Sequence, residues 1–306
     1  MRGDPVASMV LAVLRACVRH RTNGHAAETA FFALLSLVPA TITLGGVLHL
    51  FAKVGGPDLE TRGQRGAAAT IRVLIGPKLA DSVVNPFVRT QLEHSEGLAV
   101  TGLLVSAWLT SRAFYAITHG IDVAYGVAQP RNFRVQRLIA LGYAVAAVVL
   151  VAVTLAIMVL GWHSGRANVD RFFGRTPVVA QLWMVARWPL LLVVLLVVLV
   201  GLYRYGANVR HTWRQCLPGA AVALALWIGA AALFRAYVLF GTAEPTGVHT
   251  NDEQVVLIGR AIGATIGTGI WMYFSALAVL LGAEFNGVLV RRHQAAEVTA
   301  ATAGSP

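Results

Sequence analysis

The chain has 306 residues, which at about 150 residues per soluble domain would suggest two of them. Yet 57% of the residues are hydrophobic and only 13% charged, against about 25% charged in an ordinary soluble domain. With a mean hydropathy of +0.66, a disordered chain, a disulfide scaffold and a cytosolic enzyme are all poor fits, and lipid is the expected solvent.

The net charge of +11 would point to nucleic acid in a soluble domain. Here the cations, nearly all arginine, lie in short segments between apolar runs. That placement suits topology signals and contact with anionic lipid headgroups, so lipid and not nucleic acid is the expected partner. The two cysteines, Cys17 and Cys216, form no CxxC, and no histidine cluster has metal spacing. Neither a disulfide framework, a metal site nor a cofactor is expected.

Along the chain, residues 1–25 make a poor signal peptide, because Arg15, Arg19 and Arg21 stand where a small-residue cleavage site belongs. Val6, Met9, Val10, Val13, Leu14 and Cys17 fall at helical spacing, which predicts an amphipathic helix on the cytoplasmic membrane surface. A membrane span needs about 20 mostly apolar residues, and six segments qualify. They are Ala26 to Phe51, Leu98 to Thr118, Leu138 to Trp162, Trp183 to Tyr203, Leu217 to Phe240, and Gly267 to Leu289 within a longer apolar stretch. Trp183, Trp188, Tyr203 and Tyr205 resemble interfacial anchors of the fourth span. The predicted fold class is thus all-α, a polytopic integral membrane protein with a membrane domain over 26–292. Residues 52–97 form an extracytoplasmic segment expected to hold short amphipathic helices, and 293–306 a disordered cytoplasmic tail. With the N-terminus inside, the cytoplasmic pieces carry the excess of arginine in the short loops, so both termini are expected in the cytoplasm.

Ionisable groups in apolar spans are the sharper functional signal, because burying one costs at least about 2.5–3.5 kcal/mol. Glu28, Arg112, His119, Asp122, Glu284 and the neighbouring Asn286 fall toward the cytoplasmic side and form a candidate inner polar cluster. Arg187, Arg235 and Arg260 fall toward the outer side as candidate contacts for an anionic lipid or solute. All of these are near enough to an interface to snorkel or to pair silently, which is the competing structural reading. Pro39, with Ser36, interrupts the first span and offers either a hinge or a static kink. Gly259, Gly263 and Gly267 repeat at four residues, as do Gly219 and Ala223, which predicts close approach of the fifth and sixth spans. His25 and Glu28 share a helical face, but two ligands do not make a metal site. Walker A, GxGxxG, HExxH and nucleophile-elbow patterns are all missing, so no enzyme is expected.

Several strings carry a family resemblance. His25-Ala-Ala-Glu-Thr-Ala-Phe-Phe-Ala-Leu-Leu-Ser-Leu-Val-Pro39 resembles the first-span signature of the YihY/BrkB family of bacterial inner-membrane proteins. Asp122-Val-Ala-Tyr-Gly-Val127 with Pro130-Arg131, Leu217-Pro-Gly-Ala220 with Trp227, and Leu280-Leu-Gly-Ala-Glu-Phe-Asn286 resemble its later segments. The resemblance covers about residues 20–292. It implies six spans with cytoplasmic termini and an unsettled activity, with members guessed to be transporters and some bearing a ribonuclease label. That label finds no support in these residues, which hold no soluble carboxylate cluster for metal ions and no basic groove with stacking aromatics. The functional expectation is a transporter or exporter of a lipid-related or anionic solute. The alternatives are a scaffold for envelope machinery, with or without a homo-oligomer, and a less favoured intramembrane enzyme.

Overall fold

The computed structural model describes residues 5–55, 96–127, 132–162, 177–209, 212–241 and 253–303. Among them all regular structure is α-helical: α1 (Pro5–Arg19), α2 (Thr22–Gly55), α3 (Glu96–Tyr125), α4 (Phe133–Trp162), α5 (Pro177–Gly206), α6 (Trp213–Gly241) and α7 (Glu253–Ala303). Among the described residues, four stretches are long and apolar enough to cross a membrane, namely Val100–Tyr125, Trp188–Gly206, Trp213–Ala236 and Thr265–Glu297. They fall on the second, fourth, fifth and sixth expected spans. Helices α2 and α4 occupy the first and third, but many of their side chains lie outside the described residues. The amphipathic helices expected within 52–97 also lie outside them, apart from the flanking ends of α2 and α3.

Local chemistry explains where the helices begin and end. Pro5 and Pro177 open α1 and α5, at the position where a missing N–H costs nothing. Between α1 and α2 the chain breaks at Arg21, a non-glycine residue in the left-handed region with φ 53°. α3 ends in a Schellman motif: Gly126 sits at φ 69° and donates to the Val123 carbonyl, while the Val127 amide donates to the Asp122 carbonyl. At the start of α6 the Thr212 carbonyl accepts from the Cys216 amide, and the Gln215 side chain reaches back to accept from the Thr212 amide at 2.9 Å, one half of a capping box. α7 has 51 residues, roughly 75 Å of helix at 1.5 Å per residue, more than twice a hydrocarbon core of about 30 Å. The tail expected to be disordered from 293 is thus helical through Ala303, and its alanines are strong helix formers.

The chain divides into two compact units. The first contains Met1–His25, Phe114–Gly229 and Leu277–Pro306, and the second Ala26–Ala113 and Ala230–Ala276. In the first unit α4 packs against α5, and small side chains fill much of the core, among them Ala16, Ala116, Ala124, Ala140, Ala220 and Ala283. Its large apolar side chains point out instead: Leu138, Val145, Val185, Trp188 and Val193 are each more than half exposed. The second unit shows the same inversion, with Phe31, Leu104, Trp108, Leu233 and Ile266 outward and Ala30 and Ala113 inside. Water would penalise such surfaces heavily, whereas lipid chains would not. Tyr203, expected as an interfacial anchor, is instead fully buried and donates its hydroxyl hydrogen bond to the Val279 carbonyl of α7.

Candidate functional site

The most concentrated polar chemistry lies in the first unit, around Glu284 of α7. Its side chain is 1% exposed. His20 Nδ1 stands 2.8 and 3.0 Å from the two carboxylate oxygens, and Thr22 Oγ1 donates to Oε1 at 3.0 Å. The other ring nitrogen of His20 accepts from Arg19 Nε at 3.3 Å. One ring proton, on Nδ1, therefore satisfies both contacts. The left-handed break at Arg21 makes this possible, because it turns His20 and Thr22, on either side of it, toward the same carboxylate. Cys17, one turn earlier on α1, has its thiol pushed up to about 11 by burial and, secondarily, by the Glu284 charge.

Asn286 lies two residues further along α7 and is fully buried. Its carbonyl accepts from the Gly219 amide at 2.7 Å, and its amide donates to the Cys216 carbonyl at 3.0 Å and the Tyr125 hydroxyl at 3.1 Å. Pro218, inside α6, cannot donate to the helical ladder. Asn286 thus splints the α6 backbone on both sides of that proline. Gly219 and Gly282 face each other so closely that a Cβ on Gly219 would strike the Gly282 carbonyl and the Asn286 side chain. A Cβ on Gly282 would in turn meet the Gly219 carbonyl and Ala223. Asp122 Oδ1 accepts from the Asn208 amide at 2.7 Å, tying α3 to the segment after α5. The ring of His119 packs edge-on against His25 with centroids 5.3 Å apart and stacks on Tyr115 at 6.0 Å.

Glu28 and Arg112 belong to the second unit, where Arg112 Nη2 donates to Glu28 Oε1 at 3.4 Å. The Arg112 guanidinium also lies 4.8 Å from the centre of the Phe32 ring. The Glu28 and Arg112 side chains are 38% and 30% exposed, respectively. Glu284, the third member of the expected cluster, belongs to the first unit, where His20 and Thr22 are its partners. Ser36 donates to the Ala33 carbonyl at 2.7 Å, and α2 continues as helix through the buried Pro39.

Arg235 is exposed on α6, while the side chains of Arg187, Arg260 and Gly259 lie outside the described residues. Gly263 has open space where a Cβ would stand, and Gly267 meets only Phe234, at 3.8 Å. The close approach of α6 and α7 is therefore made at Gly219, Ala223 and Gly282, not at Gly263 and Gly267. Sequence reasoning missed His20, Thr22 and Gly282. For His20 and Thr22 the one available signal was a run of polar residues at the junction of α1 and α2, which does not say what it faces; Gly282 stood only as one letter of the closing string. Among the described residues, no three of His, Cys, Asp and Glu are grouped so as to hold a metal ion.

The polar residues of the closing string Leu280–Asn286 thus meet the start of the chain and the α6 backbone. The chain is 30% identical over 273 residues to a "Putative ribonuclease-like protein YfkH" of Bacillus subtilis (strain 168), an alignment spanning 89% of this chain and 92% of that protein. No solved structure matches. A family model described as "Virulence factor BrkB" matches residues 13–305, and with nearly the whole length covered the chain belongs to the BrkB family of membrane proteins.

Proposed function

We propose that this protein is a six-span plasma-membrane protein, both termini cytoplasmic, that transports an anionic or lipid-related solute. The single observation carrying this reading is the Glu28–Arg112 pair. Both residues sit in apolar helices, yet both remain about one-third exposed. A partly exposed ion pair facing hydrocarbon would cost several kcal/mol, so its face is expected to meet water or a polar solute. The cation–π contact with Phe32 holds the guanidinium in place without neutralising it.

A second reading, a non-transporting scaffold for envelope machinery, draws on the first unit. There the backbones touch at Gly219 and Gly282, and Glu284, Asn286 and Asp122 already accept hydrogen bonds from the protein itself. We do not carry over the ribonuclease-like name of the Bacillus relative. Phosphodiester hydrolysis needs a poised base or metal set, and the buried carboxylates here are committed to structural contacts.

The test is reconstitution into liposomes with panels of anionic solutes and labelled lipids. Flux is expected with the natural chain and a drop of about tenfold or more in Glu28→Gln and Arg112→Gln, at unchanged insertion. Flux unaffected by both substitutions would remove the pair from the mechanism. No flux for any solute, with correct folding, would favour the scaffold.

A further inference from the structure

A cleft of about 270 Å³ opens in the first unit between α1 and the end of α7. It is lined by the small apolar residues Ala12, Ala16, Val288 and Ala295 and by three arginines, Arg19, Arg291 and Arg292. Each is positioned by a single contact that leaves much of its donor fork unused. Arg19 spends Nε on His20, Arg291 spends Nη1 on the Ala124 carbonyl at 2.9 Å, and Arg292 spends Nη2 on the Ser8 carbonyl at 2.9 Å. No carboxylate lies within 4 Å of any of them among the described residues.

Arg19 and Arg291 repel each other, and the Glu284 carboxylate that acts on Arg291 from beyond 4 Å is already engaged by His20 and Thr22, so a bound anion would relieve the remaining repulsion. Guanidinium forks match phosphate oxygens in spacing and planarity, and three forks can bind one phosphate from several sides. The cleft volume is too small for a bulky solute but ample for a headgroup-sized one. Beside it, α1 exposes Leu11, Leu14 and Val18, the last at 81%, in a stripe suited to the acyl boundary of a membrane. We propose that the Arg19–Arg291–Arg292 cleft binds a phosphate group, either as free inorganic phosphate or as the headgroup of an anionic phospholipid.

The test uses the full chain in nanodiscs and follows the thermal unfolding midpoint by tryptophan fluorescence. One arm titrates inorganic phosphate into discs of neutral phosphatidylcholine, with potassium chloride at matched ionic strength as control. The other compares neutral discs with discs containing phosphatidic acid. A rise in midpoint with phosphate assigns the free anion, and a rise only with phosphatidic acid assigns the lipid. Arg19→Gln, which leaves the Arg292–Ser8 tie intact, is expected to weaken binding about tenfold, and Arg292→Lys to retain part of it. Arg214→Gln, an exposed arginine elsewhere in the same unit, is expected to change nothing. No shift in either arm, an equal shift with chloride, or full binding in Arg19→Gln would overturn the proposal. Binding is read at equilibrium without flux, so this result and the transport result stand or fall separately.

Discussion

At the scale of residues, the informative group is the thiol of Cys17. Its neighbours raise it from 9.0 to about 11, burial first and the Glu284 charge second. The neutral thiol is therefore favoured by the folded state. Its contribution to stability is complete below pH 9 and is lost as pH rises through about 11. In a Cys216→Ser background, alkylation of Cys17 near pH 8 is expected to run about a hundredfold slower than that of an unshifted thiol, and to keep climbing above pH 9. Glu284→Gln removes the charge and should move that profile to lower pH; a profile with its midpoint at 9 in the natural chain would contradict the geometry. That Glu284 places a carboxylate in an apolar run was visible in the sequence. Its partners were not. His20 and Thr22 are more than 260 residues away along the chain, and only the fold, with its left-handed Arg21, puts them in reach.

At the scale of elements, helix existence was readable because long apolar runs specify it, and helix contacts were not. A repeat of small residues marks a face that permits close approach, but the partner face must match it in register. Gly219 and Gly282 meet backbone to backbone, whereas Gly263 faces open space and Gly229 on α6 does the same. Gly219→Ala should therefore destabilise the protein by about 3 kcal/mol or more, since the added methyl meets backbone atoms that cannot move aside. Gly229→Ala, on the same helix, should be neutral or stabilising by up to about 1 kcal/mol through helix propensity. Thermal midpoints of the two variants in the same detergent check the contrast. Similar losses at both sites would mean that α6 and α7 do not touch where the glycines place them.

At the scale of the whole molecule, the exposed Leu, Val, Trp and Phe side chains and the alanine-rich interiors of each unit make lipid the solvent. Orientation must come from charge, because hydrocarbon is symmetric and the arginines are not. The segment 241–254 between the last two helices contains no arginine or lysine, whereas Arg291 and Arg292 follow the apolar part of α7. On the proposed topology, an N-terminus held inside by Arg15, Arg19 and Arg21 and an even number of crossings would put 241–254 outside and residue 293 inside. With Cys17 and Cys216 replaced by serine, Thr250→Cys should react with a membrane-impermeant maleimide in intact cells. His293→Cys should react only after permeabilisation. If both react from outside, an odd number of crossings separates the chain ends and the positive-inside assignment fails. If neither does until the cells are opened, segment 241–254 stays on the inner side, and α6 and α7 cannot both cross the bilayer.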